Sequence, residues 1–266
     1  MKIGFIGVGN MGSAIMKAVL TSVDAKDIYI ADANENRINT FSKSYGTNAS
    51  TNIEIARVCD YIFFGVKPQV MEDMLKDISK TLAKRSTRFV LVSMAAGLEI
   101  KTINSFLGTD YPIIRIMPNL PVSVGEGMTL YDSLGVEDKE ISIFCDIIKN
   151  TGKLLQLPEH LIDAGCSVSG CGPAFVCLMI EAMSDAGVKC GLTRATATTL
   201  ATQTLLGTSK LISETEIHPA LLKDAVCSPG GSTIAGVESL ENHGFRSAVI
   251  NAVSASYDRN RELGKK

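Results

Sequence analysis

The chain has 266 residues, seven cysteines, no tryptophan and a formal net charge of −2. That length holds one large or two modest domains with a buried core. A near-neutral balance without any Lys/Arg run longer than two excludes an extended nucleic-acid or anionic-membrane surface but not a local anion site.

Taken in chain order, Lys2–Ile6 is strand-like and residues 11–21 are small and helix-compatible. No targeting segment is expected ahead of that strand. Asp27–Ala31 is a second apolar run, followed by a polar helical stretch over 34–44. Tyr61–Val66 is a third run with a helix over 69–84, and Arg88–Ser93, Ile113–Met117 and Gly127–Tyr131 supply further strands. Strands alternating with helices predict a mostly parallel sheet covered on both faces. After about Leu157 the pattern turns helical, over 159–186, 192–213, 219–226, 232–242 and 245–263. Leu192–Ile212 is so poor in charge that a partner subunit is expected to cover part of it. Seventeen uncharged residues separate Asp163 from Glu181. Ser, Gly and Pro173 interrupt them, so a buried helix in a soluble protein is expected rather than a membrane span.

The seven cysteines (59, 145, 166, 171, 177, 190 and 227) are odd in number and read as reduced thiols in the cytoplasm. Cys166, Cys171 and Cys177 lack C-x-x-C spacing, and His160, His218 and His243 form no ligand motif, so no metal site is expected.

Gly7-Val8-Gly9-Asn10-Met11-Gly12 matches G-x-G-x-x-G directly after a strand and at the start of a helix. The first glycine permits the tight turn, the second lets backbone approach a pyrophosphate, and the third allows close helix–strand packing. The fold class is therefore α/β, a Rossmann-type dinucleotide-binding domain over 1–158 followed by an all-α domain over 159–266. Asp32 ends the second strand, where a carboxylate accepts hydrogen bonds from an unphosphorylated ribose. No Arg or Lys is immediately beside it, which favours NADH. Asn34 and Arg37 are within reach of a 2′-phosphate, and Asp32 also suits a helix cap, so NADPH stays open. Val66, Lys67, Pro68 and Gln69 follow the third strand at its carboxyl end, where such folds bind ligands. Val92–Gly97 and Arg115–Asn119 end the next strands in the same manner. Asn119 is read either as a cofactor contact or as a stabiliser of its loop.

Ser228-Pro229-Gly230-Gly231-Ser232-Thr233-Ile234-Ala235-Gly236 carries the second signal. A Pro-Gly-Gly turn aims bare N–H groups into one small space, and a helix starting near Ser232 adds its own unpaired donors and partial positive charge. That combination suits a carboxylate or phosphate; an ordinary turn with a Ser/Thr cap is the plainer alternative.

These stretches, with Ala95–Gly97, Arg115–Asn119, Ser169–Phe175, His218-Pro219 and Leu222–Asp224, resemble pyrroline-5-carboxylate reductase nearly end to end. The resemblance implies NADH- or NADPH-dependent reduction of the cyclic imine Δ1-pyrroline-5-carboxylate to L-proline. It implies a helical C-terminal domain that binds substrate and interlocks with a second subunit, with a dimer as the minimum and a larger ring of dimers open. By position it implies substrate contacts from Glu159, Ser232 and Thr233, and a cofactor site lined by Asn52, Met94 and Ala96. In that picture Gly230, Gly231 and Ser232 hold the carboxylate, and Thr233 faces the ring nitrogen as the catalytic contact. Cys171 and Phe175 stand where the family usually has Ser and Tyr, and Cys166 where it often has Thr. The rival reading is a related dehydrogenase of 2-keto or 3-hydroxy acids, which needs a catalytic Lys or His among His160, Lys189, Lys210, His218 and Lys223.

Overall fold

The structure, a computed structural model, describes residues 1–263; the last three positions of the expected 159–266 domain lie outside the described residues. Short runs of Ile, Val and Phe form β1 (Ile3–Ile6), β2 (Ile28–Ala31), β4 (Tyr61–Phe64), β5 (Val90–Ser93) and β6 (Ile113–Pro118). With β3 (Asn48–Ala49), β7 (Gly127–Leu134) and β8 (Gly152–Gln156) they make an eight-stranded sheet of order β3-β2-β1-β4-β5-β6-β7-β8. Every pairing is parallel except β6 with β7.

Parallel strands are buried on both faces, and the pleat divides their side chains between two cores. Ile3, Phe5, Ile30, Phe63 and Val92 enter one, beneath Ile15, Met16 and Val19 of α1 (Asn10–Val19). Ile6, Ile62, Phe64 and Leu91 enter the other, beneath Met71, Leu75 and Ile78 of α4 (Pro68–Leu82) and Ile103 of α5 (Ile100–Leu107). Each such fully buried side chain contributes about 1.5–3 kcal/mol. Phe5 and Phe63, paired across β1 and β4, stack with centroids 4.8 Å apart.

The strand order reverses between β2-β1 and β1-β4, which puts a crevice at the carboxyl end of β1. α2 (Glu35–Tyr45) falls on the helical stretch read over 34–44, and the structure adds elements absent from the sequence reading. These are β3, β8, α3 (Asn52–Val58), α5 and α6 (Asp138–Ile148).

The helical stretch expected over 159–186, with a helix opened by Pro173, is two helices, α7 (Glu159–Ser169) and α8 (Gly172–Lys189), separated at Gly170–Cys171. By length and composition Glu159–Lys189 is apolar enough to cross a membrane, but this turn interrupts it and Pro173 opens the second helix. The remaining helices are α9 (Arg194–Thr215), α10 (Pro219–Val226), α11 (Ser232–Asn242) and α12 (Phe245–Leu263).

By compactness the chain divides into Met1–Gly170 with the stretch from Tyr257 onward, and Cys171–Ser256. The change of secondary structure falls at 158/159, yet α7 belongs to the first unit because Ile162 is fully buried against Met117 and Leu130. Within the second unit burial is confined to small side chains, Ser184, Ala197 and Ala201. Leu200, Leu206 and Leu211 of α9 are exposed, as are Leu178, Leu221, Val226 and Ile250. The apolar helix expected to be buried is therefore uncovered within the chain itself.

Candidate active site

The glycine turn after β1 is built as its spacing requires. Gly7 has φ +91°, a left-handed conformation that favours glycine. A Cβ on Gly12 would meet the Gly7 carbonyl, so the third glycine lets α1 press against the turn. A Cβ on Gly9 would enter open space. That space adjoins the start of α1, where no side chain caps the helix and the first N–H groups with the helix dipole favour an anion. The residues present thus fit a dinucleotide's pyrophosphate. Asn10 is exposed and Met11 half-buried, whereas the Val8 side chain is in the core.

Asp32 is tied into this turn. Its Oδ2 accepts the Val8 N–H at 2.8 Å, and its Oδ1 accepts the Asn34 N–H at 2.9 Å. No Arg or Lys adjoins it in sequence, but Arg37, read as within reach of this place, has its guanidinium 3.3 Å from Oδ2. The first turn of α2 folds Arg37 back towards the strand end, a pairing that spacing alone does not reveal. The Asn34 side chain accepts the Arg37 N–H and caps α2. Asn52 is the first residue of α3, after the capping Thr51.

On the other side of β1, Val66 packs against the second core and Lys67 is an exposed residue preceding α4. Pro68, Gln69, Ala96, Gly97, Met117, Asp163, Cys166 and Asn260 line a cavity of about 260 Å3. Ala96 lines this space, while Met94 is not among its lining residues and packs against the first core. Asn119 uses its amide on both sides, donating to the Ser169 carbonyl and accepting the Met128 N–H, each at 2.9 Å. Of the two readings of Asn119, this geometry is that of a loop stabiliser.

Glu159 opens α7, its N–H held by Asp132 Oδ2 at 2.6 Å. Its own carboxylate accepts the Ile100 N–H at 2.8 Å, satisfying the start of α5, and lies 3.3 Å from Arg115. Arg115 is 2% exposed and also reaches Asp163 at 3.2 Å. One turn further along α7, Ser167 Oγ donates to the Asp163 carbonyl and accepts from Asn260 Nδ2. The sequence reading assigned no role to Asp163, Arg115 or Asn260. Glu159 and Asp163 are four residues apart on one helix, hence on one face, and that pair opposite a strand arginine was the available signal.

In the second unit, Ser228–Gly231 closes a turn in which the Gly231 N–H reaches the Ser228 carbonyl at 3.0 Å. Gly230 takes φ +68°. Gly231 precedes α11 without a side-chain cap, so the first N–H groups of this helix, with the exposed Ser232 and Thr233, present donors to solvent. The plainer reading, a Ser/Thr cap, is not what the turn contains.

Two family models match the chain: pyrroline-5-carboxylate reductase dimerisation over residues 159–263, and NADP oxidoreductase coenzyme F420-dependent over residues 2–97. The chain is 43% identical to pyrroline-5-carboxylate reductase of Synechocystis sp., covering all of this chain and 99% of that one (100% and 99%). It is 40% identical to the Arabidopsis thaliana enzyme of that name, over 99% and 96% of the two chains. The Plasmodium falciparum pyrroline carboxylate reductase crystal structure with NADP bound superposes with a TM-score of 0.87 at 33% identity, over 99% of this chain and 98% of that one. With likeness of this degree along its whole length, the chain belongs to the pyrroline-5-carboxylate reductase family.

Proposed function

We propose that the protein reduces Δ1-pyrroline-5-carboxylate to L-proline with NADH or NADPH. The observation that carries the reading is the turn at Ser228–Thr233, an uncapped helix start with a left-handed glycine and two exposed hydroxyls, in a chain that also has a complete dinucleotide turn. The coenzyme supplies the hydride. The Gly230, Gly231 and Ser232 backbone with the Ser232 hydroxyl holds the substrate carboxylate, and Thr233 fixes the ring nitrogen so that one face of the imine is presented. A protonated imine already carries the proton its nitrogen needs, so orientation is the main contribution asked of the protein. Gly7–Gly12 would hold the pyrophosphate, Asp32 or Arg37 the adenosine ribose, and Val66–Gln69 with Ala96 the nicotinamide end.

The rival keto-acid reading needs a free Lys or His. Of its five candidates, Lys210 lies 3.7 Å from Glu214, Lys223 lies 2.9 Å from Asp224, and His218 Nδ1 accepts the Ala220 N–H as a helix cap, which leaves the exposed His160 and Lys189 for that role. The deciding assay follows NAD(P)H loss with the imine, with each coenzyme and with 2-keto acids in parallel. Turnover of the keto acids but not of the imine would overturn the reading.

We further propose a homodimer formed through the C-terminal helices, supported by the dimerisation family match and by the exposed leucines of α9. Sedimentation at micromolar concentration should give at least twice the chain mass, with larger rings of dimers as a second species. The odd count of cysteines supports the cytoplasm as its compartment.

A further inference from the structure

Imine reduction moves charge. The protonated substrate receives a hydrogen with two electrons at its imine carbon, and the C=N π pair becomes the lone pair on nitrogen. The positive charge leaves the substrate and the nicotinamide becomes the cation. A carboxylate beside the nicotinamide end would favour that transfer, the more strongly the more water is displaced from it.

The cavity beside the carboxyl ends of β4 and β5 has one carboxylate on its wall, Asp163, whose side chain is 30% exposed. Among its lining residues, Pro68, Gln69, Ala96, Gly97, Met117, Asp163, Cys166 and Asn260, Asp163 alone is ionic. Asp32, after β2, marks the adenosine side of the glycine turn. A dinucleotide laid across that turn therefore extends its other half towards β4 and β5. Asp163 Oδ1 is bound to a nearly fully buried Arg115. Arg115 also binds Glu159, which is held by the Ile100 N–H. One guanidinium faces two carboxylates, so the cluster keeps a formal surplus of one negative charge, and Asp163 is its member at the cavity.

We propose that Asp163 is the carboxylate that stabilises the positive charge arising on the nicotinamide, with Arg115 as the positioning residue that fixes it at the cavity wall. This assignment rests on the reading of the chain as an imine reductase, and its test separates the two. Asp163→Asn keeps the shape and removes the charge. We expect kcat to fall about 10-fold and the primary deuterium isotope effect from C4-labelled coenzyme to rise. The affinity for the oxidised coenzyme should weaken about 5-fold relative to the reduced one, as measured by titration calorimetry. Asn260→Asp adds a charge to the same wall without changing its size, and the oxidised-to-reduced affinity ratio should then move the other way. An unchanged ratio in both variants, or a shift in the same direction in both, overturns the proposal even where kcat falls. The ratio is read without imine, so it decides the role of Asp163 independently. Absence of imine turnover by the wild-type protein overturns the reductase reading instead.

Discussion

The carboxylate of Asp32 holds the backbone N–H of Val8 at 2.8 Å, fastening the end of β2 to the glycine turn after β1. The residue that would meet the ribose is thus also part of the turn's own construction. Arg37, 3.3 Å away, gives the same place an opposite charge, and we expect coenzyme preference to follow from the balance between them. Asp32→Asn preserves an acceptor for Val8 while removing the repulsion of a 2′-phosphate. The NADPH-to-NADH ratio of kcat/KM should rise about tenfold, or about 1.4 kcal/mol. Arg37→Ala should lower that ratio by a similar factor, because a guanidinium is the natural partner of a phosphate. Parallel steady-state kinetics with both coenzymes check the pair; movement in the same direction by both variants would defeat this account.

Gly9 and Gly12 should separate binding from folding. A methyl group at Gly12 meets the Gly7 carbonyl, and overpacking against backbone costs about 1–3 kcal/mol. Gly12→Ala should lower the thermal midpoint and abolish coenzyme binding together. At Gly9 the methyl enters open space, so Gly9→Ala should melt close to wild type yet bind coenzyme at least about tenfold more weakly. Thermal melts alongside fluorescence titration with NADH distinguish the two.

Thr233 is the second residue of α11 and makes no cap to its helix, so its removal should do little to stability. For Thr233→Ala we expect kcat/KM for the imine to drop 10- to 100-fold, about 1.4–2.7 kcal/mol, with coenzyme affinity nearly unchanged. Near-normal turnover would remove Thr233 from the site.

Away from the site, Glu140 closes a small electrostatic knot that sets an acid limit on stability. Hydrogen bonds from Arg88 at 2.8 and 2.9 Å, and the Glu137 N–H at 2.9 Å, hold its carboxyl below the usual carboxylate range. A depressed folded-state pKa contributes stability above the unfolded value, and that contribution is lost as pH falls through the folded one. Glu140→Gln should therefore cost about 1 kcal/mol at neutral pH, the magnitude of a lost cap. The difference from wild type should close as the pH falls below about 4. Denaturant titrations at several pH values test the sign; a gap that widens in acid would contradict it.

Much of this fold is legible from residue order. β1, β2, β4 and β5 are unbroken apolar runs, as strands buried on both faces must be, and the glycine spacing announces the turn between β1 and α1. Apart from α6 (Asp138–Ile148), most of what escaped was short or mixed. β3 has two residues, α3 has seven, and β8 alternates with exposed positions; none offers enough periods to be told from loop. The start of α8 was legible from Pro173, which interrupts the apolar stretch and opens that helix. At the site, the turn motifs were readable because glycine and proline have local meanings. The Arg115–Asp163 contact was not, since it joins residues separated by 48 positions and depends on how α7 lies against β6. The reach of Arg37 to this place was legible, but its ion pair with Asp32 was not: helix geometry, rather than adjacency, brings it there.

Asn260 returns to Ser167 across 93 residues of chain, and it lines the cavity with Pro68 and Ala96. The first compact unit is thus interrupted in sequence by the second. During synthesis the glycine turn, the sheet and α7 leave the ribosome well before the residue that closes this wall. A nascent chain can assemble the sheet early, but its cavity stays one side short until the helical segment has been made and has led the chain back. Completion of the cavity therefore reports that the helical segment has been translated through, an order of assembly fixed by topology rather than by any separate control.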